Sequence, residues 1–214
     1  MKHRNPLITI FTVTLLACGL GFGFRYGVRD DLFARNFGVV EEGKVYRSGR
    51  QTPAMMKRLV EEHKIKTIVD LGAFGDGSVE EKQAQATAAA LGVRRVRYVL
   101  AGDGTGDPNA YVAALRVMVD AASQPVLVHC AAGAQRTSGC VMLYRLATAG
   151  EPFEKTYAEA QEYKHRPSRN PNLLPYLQQW GDKIVDALAA GTEKGAARIP
   201  YTPPNDGVNH NGVN

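Results

Sequence analysis

The sequence predicts an α/β fold: a mostly parallel central sheet flanked by helices. Three observations carry this. Short apolar or β-branched runs alternate with longer amphipathic segments, the pattern of strands joined by helical crossovers. Capping residues and glycine stops punctuate the amphipathic segments. One apolar run, Pro125-Val126-Leu127-Val128, leads through a loop of small residues into a helical segment. That loop therefore lies at the carboxyl end of a strand, where open α/β sheets bind ligands.

The elements follow in order. Val39 to Ser48 reads as a short antiparallel strand pair turning at Glu42-Gly43. Thr52-Pro53 opens a helix, with Thr as cap, Pro in the first turn, and Met56, Leu59 and Val60 on one face. Thr67 to Leu71 is a short strand. Ser78 and Glu81 form a capping box for a helix that stops at Gly92. Val96 to Leu100 is the next strand. In the run Arg94-Arg95-Val96-Arg97, alternation places Arg95 and Arg97 together on what reads as a solvated sheet face. Asp107-Pro108 caps a helix to Ala122, with Val112, Leu115 and Val119 inward. The strand to His129 and a helix over Ser138 to Thr148 enclose the small-residue loop. Phe153 to Tyr163 is helical. Asn170-Pro171 opens a last helix that buries Leu173, Leu174, Leu177 and Trp180.

A chain of 214 residues suits one domain with appendages. Residues 1–24 read as a signal, lipoprotein-like or membrane-anchor segment. Lys2, His3 and Arg4 precede an apolar stretch, and Leu15-Leu16-Ala17-Cys18 resembles a lipoprotein processing site. This predicts a domain anchored to the membrane or secreted into the bacterial periplasm or cell envelope. Residues 25–35 read as a charged linker, 36–190 as the folded domain, and the Gly-, Pro- and Asn-rich residues 191–214 as a disordered tail. The net charge of +5 suits an anionic substrate or membrane surface and is too dilute for a nucleic-acid footprint. Three cysteines make no disulfide framework. Cys140 reads as a packing residue, with a redox pairing to Cys130 as the alternative. No group of residues has metal-ligand spacing, so neither metal nor cofactor is expected. A monomer is expected.

The chemistry concentrates in His129-Cys130-Ala131-Ala132-Gly133-Ala134-Gln135-Arg136-Thr137. A tight loop can turn its backbone N–H groups toward one anion, and Gly133 widens the backbone choice at the bend. The following helix adds free N–H groups and a partial positive charge. Arg136 can grip two phosphate oxygens at once. The same field favours thiolate over thiol at Cys130, making it a nucleophile held beside its electrophile. Residues Ala131, Ala132, Gly133, Ala134, Gln135 and Arg136 form the phosphate cradle. Thr137 supplies a hydroxyl for the thiolate. His129 either orients the loop or is a core histidine. Arg47 reads as a structural residue, with bracing of the loop as the alternative, and Lys164-His165-Arg166 is a candidate border of the site.

His129-Cys130, five residues, then Arg136-Thr137 resembles the signature of the cysteine-dependent protein tyrosine and dual-specificity phosphatases. Asn36-Phe37-Gly38-Val39-Val40 and Gly43-Lys44-Val45-Tyr46-Arg47-Ser48-Gly49 are similar to the opening of small atypical bacterial members. Arg136-Thr137-Ser138-Gly139, with Tyr144-Arg145 downstream, matches their entry into the next helix. The likeness runs from Asn36 to Trp180. It implies phosphoester hydrolysis through a phosphocysteine, without metal, on a phosphorylated protein or small phosphoester. It also implies a general acid: an aspartate on a strand-to-helix loop well before the cysteine. The loop Ala101 to Pro108 offers Asp103 and Asp107. Asp107 is already committed as a helix cap, so Asp103 is the expected acid and Asp107 the alternative. Asp70 and Asp76 are outsiders. Protein tyrosine or dual-specificity activity is expected, because the variable loop positions Ala131, Ala132, Ala134 and Gln135 are uncharged. Inositol phosphate or phosphoinositide hydrolysis is one alternative, and an inactive module that binds phosphorylated ligands is another.

Overall fold

The computed structural model describes residues 29–191 and 198–202. The expected leader, including Cys18, lies outside the described residues. The strands are β1 (Gly38–Glu41), β2 (Val45–Ser48), β3 (Thr67–Asp70), β4 (Arg94–Arg97) and β5 (Val126–His129). They form one sheet in the order β1-β2-β5-β3-β4. Only β1 runs antiparallel to its neighbour β2; the other pairs are parallel. The helices are α1 (Arg29–Leu32), α2 (Pro53–His63), α3 (Val79–Ala90), α4 (Pro108–Val119), α5 (Arg136–Ala149), α6 (Phe153–Glu162) and α7 (Leu173–Ala189).

Alternation along the strands separates two cores. Val45, Val69, Val126 and Val128 face the larger one, beneath α4, α5 and α7. Tyr46, Ile68 and Leu127 face the smaller one, with Met55, Met56 and Leu59 of α2 and Ala88 of α3. Covered on both faces, the inner strands are buried at every residue. Helix α5 runs through the larger core, buried at each position from Thr137 to Tyr144.

Several boundaries differ from the sequence reading. Strand β4 begins at Arg94, since Arg94 N–H bonds Lys66 and pairing with β3 sets its length. Helix α5 starts at Arg136, directly out of the loop. Ser78 caps α3 through the Glu81 N–H, but the Glu81 side chain bonds Arg95 rather than closing the capping box. The segment expected as a linker contains α1, and Arg35 exchanges two hydrogen bonds with the Gln51 side chain. The tail is not wholly without order: Arg198 pairs with Asp107 at 2.9 Å and Ile199 is buried.

The registers pair Ser48 with His129 and His129 with Asp70. The carboxyl ends of β2, β5 and β3 are thus level, and their loops emerge side by side.

Candidate active site

Cys130 follows β5 and is 1% exposed. Around it three successive loop carbonyls are held by donors from outside the loop. Ala131 O accepts from Arg50 N–H at 3.1 Å. Ala132 O and Gly133 O accept from the Asn36 side-chain amide at 3.2 and 2.9 Å. Gly133 O also accepts from Arg47 at 3.1 Å. With its carbonyls held outside, the loop has its N–H groups left for an interior anion, and Gly133 N–H already donates to Cys130 Sγ at 3.3 Å. Gly133 has φ 72°, and a Cβ there would lie 2.6 Å from Gly49 N, so a side chain fits neither the backbone nor the space.

Helix α5 reaches the loop with no side-chain cap on its first N–H groups. An uncapped end of this length, beside a thiol, is an anion seat. Arg136 heads it. Its guanidinium donates to the carbonyls of Leu71 and Gly72 after β3, and its Nε is buried without a partner. An oxyanion is what that unpaired donor calls for.

Arg47 follows the alternative reading and bonds the loop directly. It is fully buried, donates to Ser138 Oγ at 2.6 Å as well as to Gly133, and lies 3.7 Å above the Tyr163 ring. Burial pulls its guanidinium down to about 10, against the pull of Glu159, so it stays charged at neutral pH. His165, buried between α6 and α7, meets Gln135 Oε1 through Nδ1. Of the candidate run Lys164-His165-Arg166, it is His165 that touches the loop through a hydrogen bond. Burial lowers the His165 and His129 imidazoles, and at His129 this outweighs nearby Asp70. His129 is a buried core histidine whose Nδ1 has no partner. The Thr137 hydroxyl is also buried without a partner, so the expected bond to the Cys130 thiolate is not made. Cys140 packs as expected, its sulfur 3.5 Å from Met118 Sδ and its thiol pushed up to about 12 by burial.

The acid loop packs onto the phosphate loop at Gly104, where a Cβ would sit 3.5 Å from the Gln135 carbonyl carbon. Asp107 caps α4 through Asn109 N–H at 2.9 Å and pairs with Arg198. Burial would raise its carboxyl, but the Asn109 and Arg198 contacts outweigh this and lower it. Asp103 has structural partners too, against expectation. Thr105 donates to Oδ1 from its N–H at 3.0 Å and its hydroxyl at 2.8 Å, and Asn172 donates to Oδ2 at 2.8 Å. Burial pushes the Asp103 carboxyl up, yet these bonds outweigh it and hold the carboxyl below its ordinary value. Asp70 and Asp76 are engaged elsewhere: Asp70 with Ala73 N–H and Arg95, Asp76 with Arg97. The sequence reading missed Asn36, His165 as a partner of Gln135, and Asn172. The "Asn-Phe" opening pointed toward the first of these and the basic run Lys164-His165-Arg166 toward the second, but nothing local pointed to the third.

A cavity of about 300 Å³ lies on the α2 and α3 side of the sheet, with Arg50, Met56, Phe74 and His129 in its wall. It is not lined by Cys130, Arg136 or Asp103.

A cysteine at the base of an N–H-lined loop, an arginine at an uncapped helix end and an adjoining acidic loop define a phosphatase of the cysteine-dependent protein tyrosine and dual-specificity class. The chain belongs to the family described as "DSP-PTPase phosphatase fused to NAD+ Kinase", whose profile matches residues 31–172. No curated protein matches it in sequence. Among solved structures it is similar to the catalytic core of Siw14 (TM-score 0.61, 19% identity, 73% of this chain and 91% of that one). It is similar to TpbA of P. aeruginosa, in a cysteine-to-serine variant with phosphotyrosine (TM-score 0.59, 21% identity, 73% and 91%). It is also similar to PTPMT1 (TM-score 0.56, 20% identity, 72% and 99%). At these identities the likeness is one of fold.

Proposed function

We propose that the protein hydrolyses phosphotyrosine and related phosphoesters of modest charge, with Cys130 as nucleophile, Arg136 and the loop N–H groups as phosphate ligands, and Asp103 as acid and base. The observation that carries this is the set of outward carbonyls at Ala131, Ala132 and Gly133, which leaves an inward N–H lining beneath the uncapped end of α5. The Cys130 thiolate attacks phosphorus in line, forming an S–P bond as the P–O bond to the leaving group breaks. Arg136 and the N–H groups stabilise the charge spreading over the equatorial oxygens. Asp103 delivers its proton to the departing oxygen. It then takes a proton from water, whose oxygen attacks phosphorus. The S–P bond breaks, releasing inorganic phosphate and restoring the thiolate. Arg136 is anchored through Nη1 on the Leu71 and Gly72 carbonyls, which leaves its unpartnered Nε for the phosphate.

The substrate class rests on the uncharged side chains at Ala131, Ala132, Ala134 and Gln135. They supply no cation for a heavily phosphorylated ring. The TpbA structure that holds phosphotyrosine supports the same class. The S. cerevisiae neighbour Siw14 is described as a PP-IP phosphatase, which makes an inositol pyrophosphate the informative competitor.

The test is a substrate panel of phosphotyrosine peptide, phosphoserine peptide, an inositol pyrophosphate and a phosphoinositide, with wild type and Cys130→Ser. Phosphotyrosine should give the highest kcat/KM. Cys130→Ser should lose turnover by at least about a thousandfold while still binding phosphate. Substantial residual hydrolysis overturns the nucleophile, and preference for the inositol substrate overturns the substrate class. We place the domain, as a monomer, at the cell envelope on the strength of the apolar leader; recovery of the full chain in the cytosolic fraction overturns that placement.

A further inference from the structure

The acid loop and the connection between α6 and α7 are joined by a hydrogen bond from Asn172 Nδ2 to Asp103 Oδ2, 2.8 Å long. The other carboxylate oxygen is occupied by Thr105, through its N–H and its hydroxyl. All of these contacts suit a carboxylate, which only accepts. A carboxylic acid must place its own proton on an oxygen. On Oδ2 that proton would face the Asn172 amide hydrogens, so the contact must break or the amide must turn over.

We propose that Asn172 is a positioning residue for the general acid, a latch that holds Asp103 against the α6–α7 connection as the carboxylate and releases it for proton donation. The inference rests on Asp103 being the general acid. In the first half of the cycle the latch opposes the protonated form. In the second half it supports the carboxylate that must take a proton from water.

The rest of the connection makes this more than a local contact. Tyr163 O accepts from the Asn36 amide, which also holds Ala132 O and Gly133 O. His165 meets the Gln135 side chain. The segment that latches Asp103 therefore also grips the phosphate loop, and the two reacting parts are positioned from one piece of chain.

No other titratable group facing the acid loop takes up this role. Tyr111 of α4 donates its hydroxyl to Gly104 O at 2.7 Å, and Tyr176 of α7 donates to Gly106 O at 2.9 Å. Burial raises both phenols, so they remain neutral donors. Asp107 is engaged by Asn109 and Arg198, Arg136 by Leu71 and Gly72, and Cys130 by Gly133 N–H. Beyond Asn172 and Thr105, no described side chain forms a hydrogen bond or ion pair with the Asp103 carboxylate.

The experiment is the pH profile of kcat/KM on phenyl phosphate, whose poor leaving group requires the acid. It is run for wild type, Asn172→Ala, Asn172→Asp and Asp103→Asn. Loss of an ordinary hydrogen bond should move the descending limb of Asn172→Ala alkaline, giving about three- to tenfold more activity than wild type beyond the wild-type limb. Asn172→Asp, nearly isosteric, replaces the donor with a like charge and should move the limb further. Asp103→Asn should lack the limb. If the Asn172 variants lose activity equally at every pH while Asp103→Asn lacks the limb, Asn172 is merely structural and the latch is overturned with the acid assignment intact. If Asp103→Asn keeps the limb, the acid assignment itself fails. Asn172→Asp serves alone if the alanine variant does not fold.

Discussion

Asp103 and Asp107 sit in one loop, and their partners separate their roles. Asp107 is bound to the first turn of α4 and to Arg198, both of which it serves as a carboxylate. Asp103 is bound to Thr105 and to a side chain that can move away, Asn172. Asp103→Asn is expected to slow phenyl phosphate hydrolysis by about a hundredfold or more, in line with the usual worth of a general acid. Its kcat/KM on a nitro-activated aryl ester, whose oxygen leaves without a proton, should barely change, because that ratio reports the first step and not the phosphocysteine hydrolysis that Asp103 serves as base. Asp107→Asn should leave both rates near wild type, since asparagine also caps helices. Steady-state kinetics on the two esters checks this, and the opposite pattern exchanges the two residues' roles. Asp107 was legible in the sequence because capping is written in adjacent residues. The latch on Asp103 was not, because Asn172 is 69 residues away. The orientation of Thr137 was not legible for a related reason: spacing places its hydroxyl in the first turn of α5, well past the cysteine, but does not say which way it turns.

At the scale of elements, the strand and helix pattern was readable because it follows period and caps. What failed was the sign of one face. Arg95 and Arg97 looked solvated, since alternating arginines at the end of a sheet usually are. Instead the Arg95 side chain is only 9% exposed and joins Asp70 of β3 to Glu81 of α3, at 0% and 4%. Arg97 adds Asp76 and Phe74 O to the same cluster. Burying three charges is tolerable only if they remain paired. The cluster also shapes the site: Asp70 holds Ala73 N–H at 2.6 Å and Arg97 holds Phe74 O, fixing the loop whose Leu71 and Gly72 carbonyls receive Arg136. Arg95→Ala leaves two buried carboxylates short of a partner and should cost about 3 kcal/mol. The urea midpoint, at unchanged m-value, measures it. A loss below about 0.5 kcal/mol, the usual surface value, would restore the solvated reading.

At the scale of the molecule, two sheet faces and one level row of strand ends bring the reactive loops together, and residues 198–201 pack against α4, its capping Asp107 and α7. Composition marked residues 191–214 as disordered, because composition weighs glycine and proline and does not see a single docking side chain. Ile199 is 8% exposed and exchanges two 2.9 Å hydrogen bonds with the Asn109 side chain in the first turn of α4. Tyr201 meets Trp180 of α7 edge to face at 6.0 Å. The Arg198 to Asp107 pair is solvent-exposed on the arginine side and contributes little by itself. The buried isoleucine contributes most, about 2 kcal/mol. Docking joins α7 to the end of the acid loop, so stability and loop order should fall together when it is removed. Ile199→Asp is expected to lower stability by about 2 kcal/mol and to speed amide hydrogen exchange over residues 101–110, at the entry to α4. Exchange in the central strands β2 and β5, buried at every residue, should stay slow until global unfolding. Unchanged melting and unchanged exchange across the acid loop would return residues 198–202 to the disordered tail that composition describes.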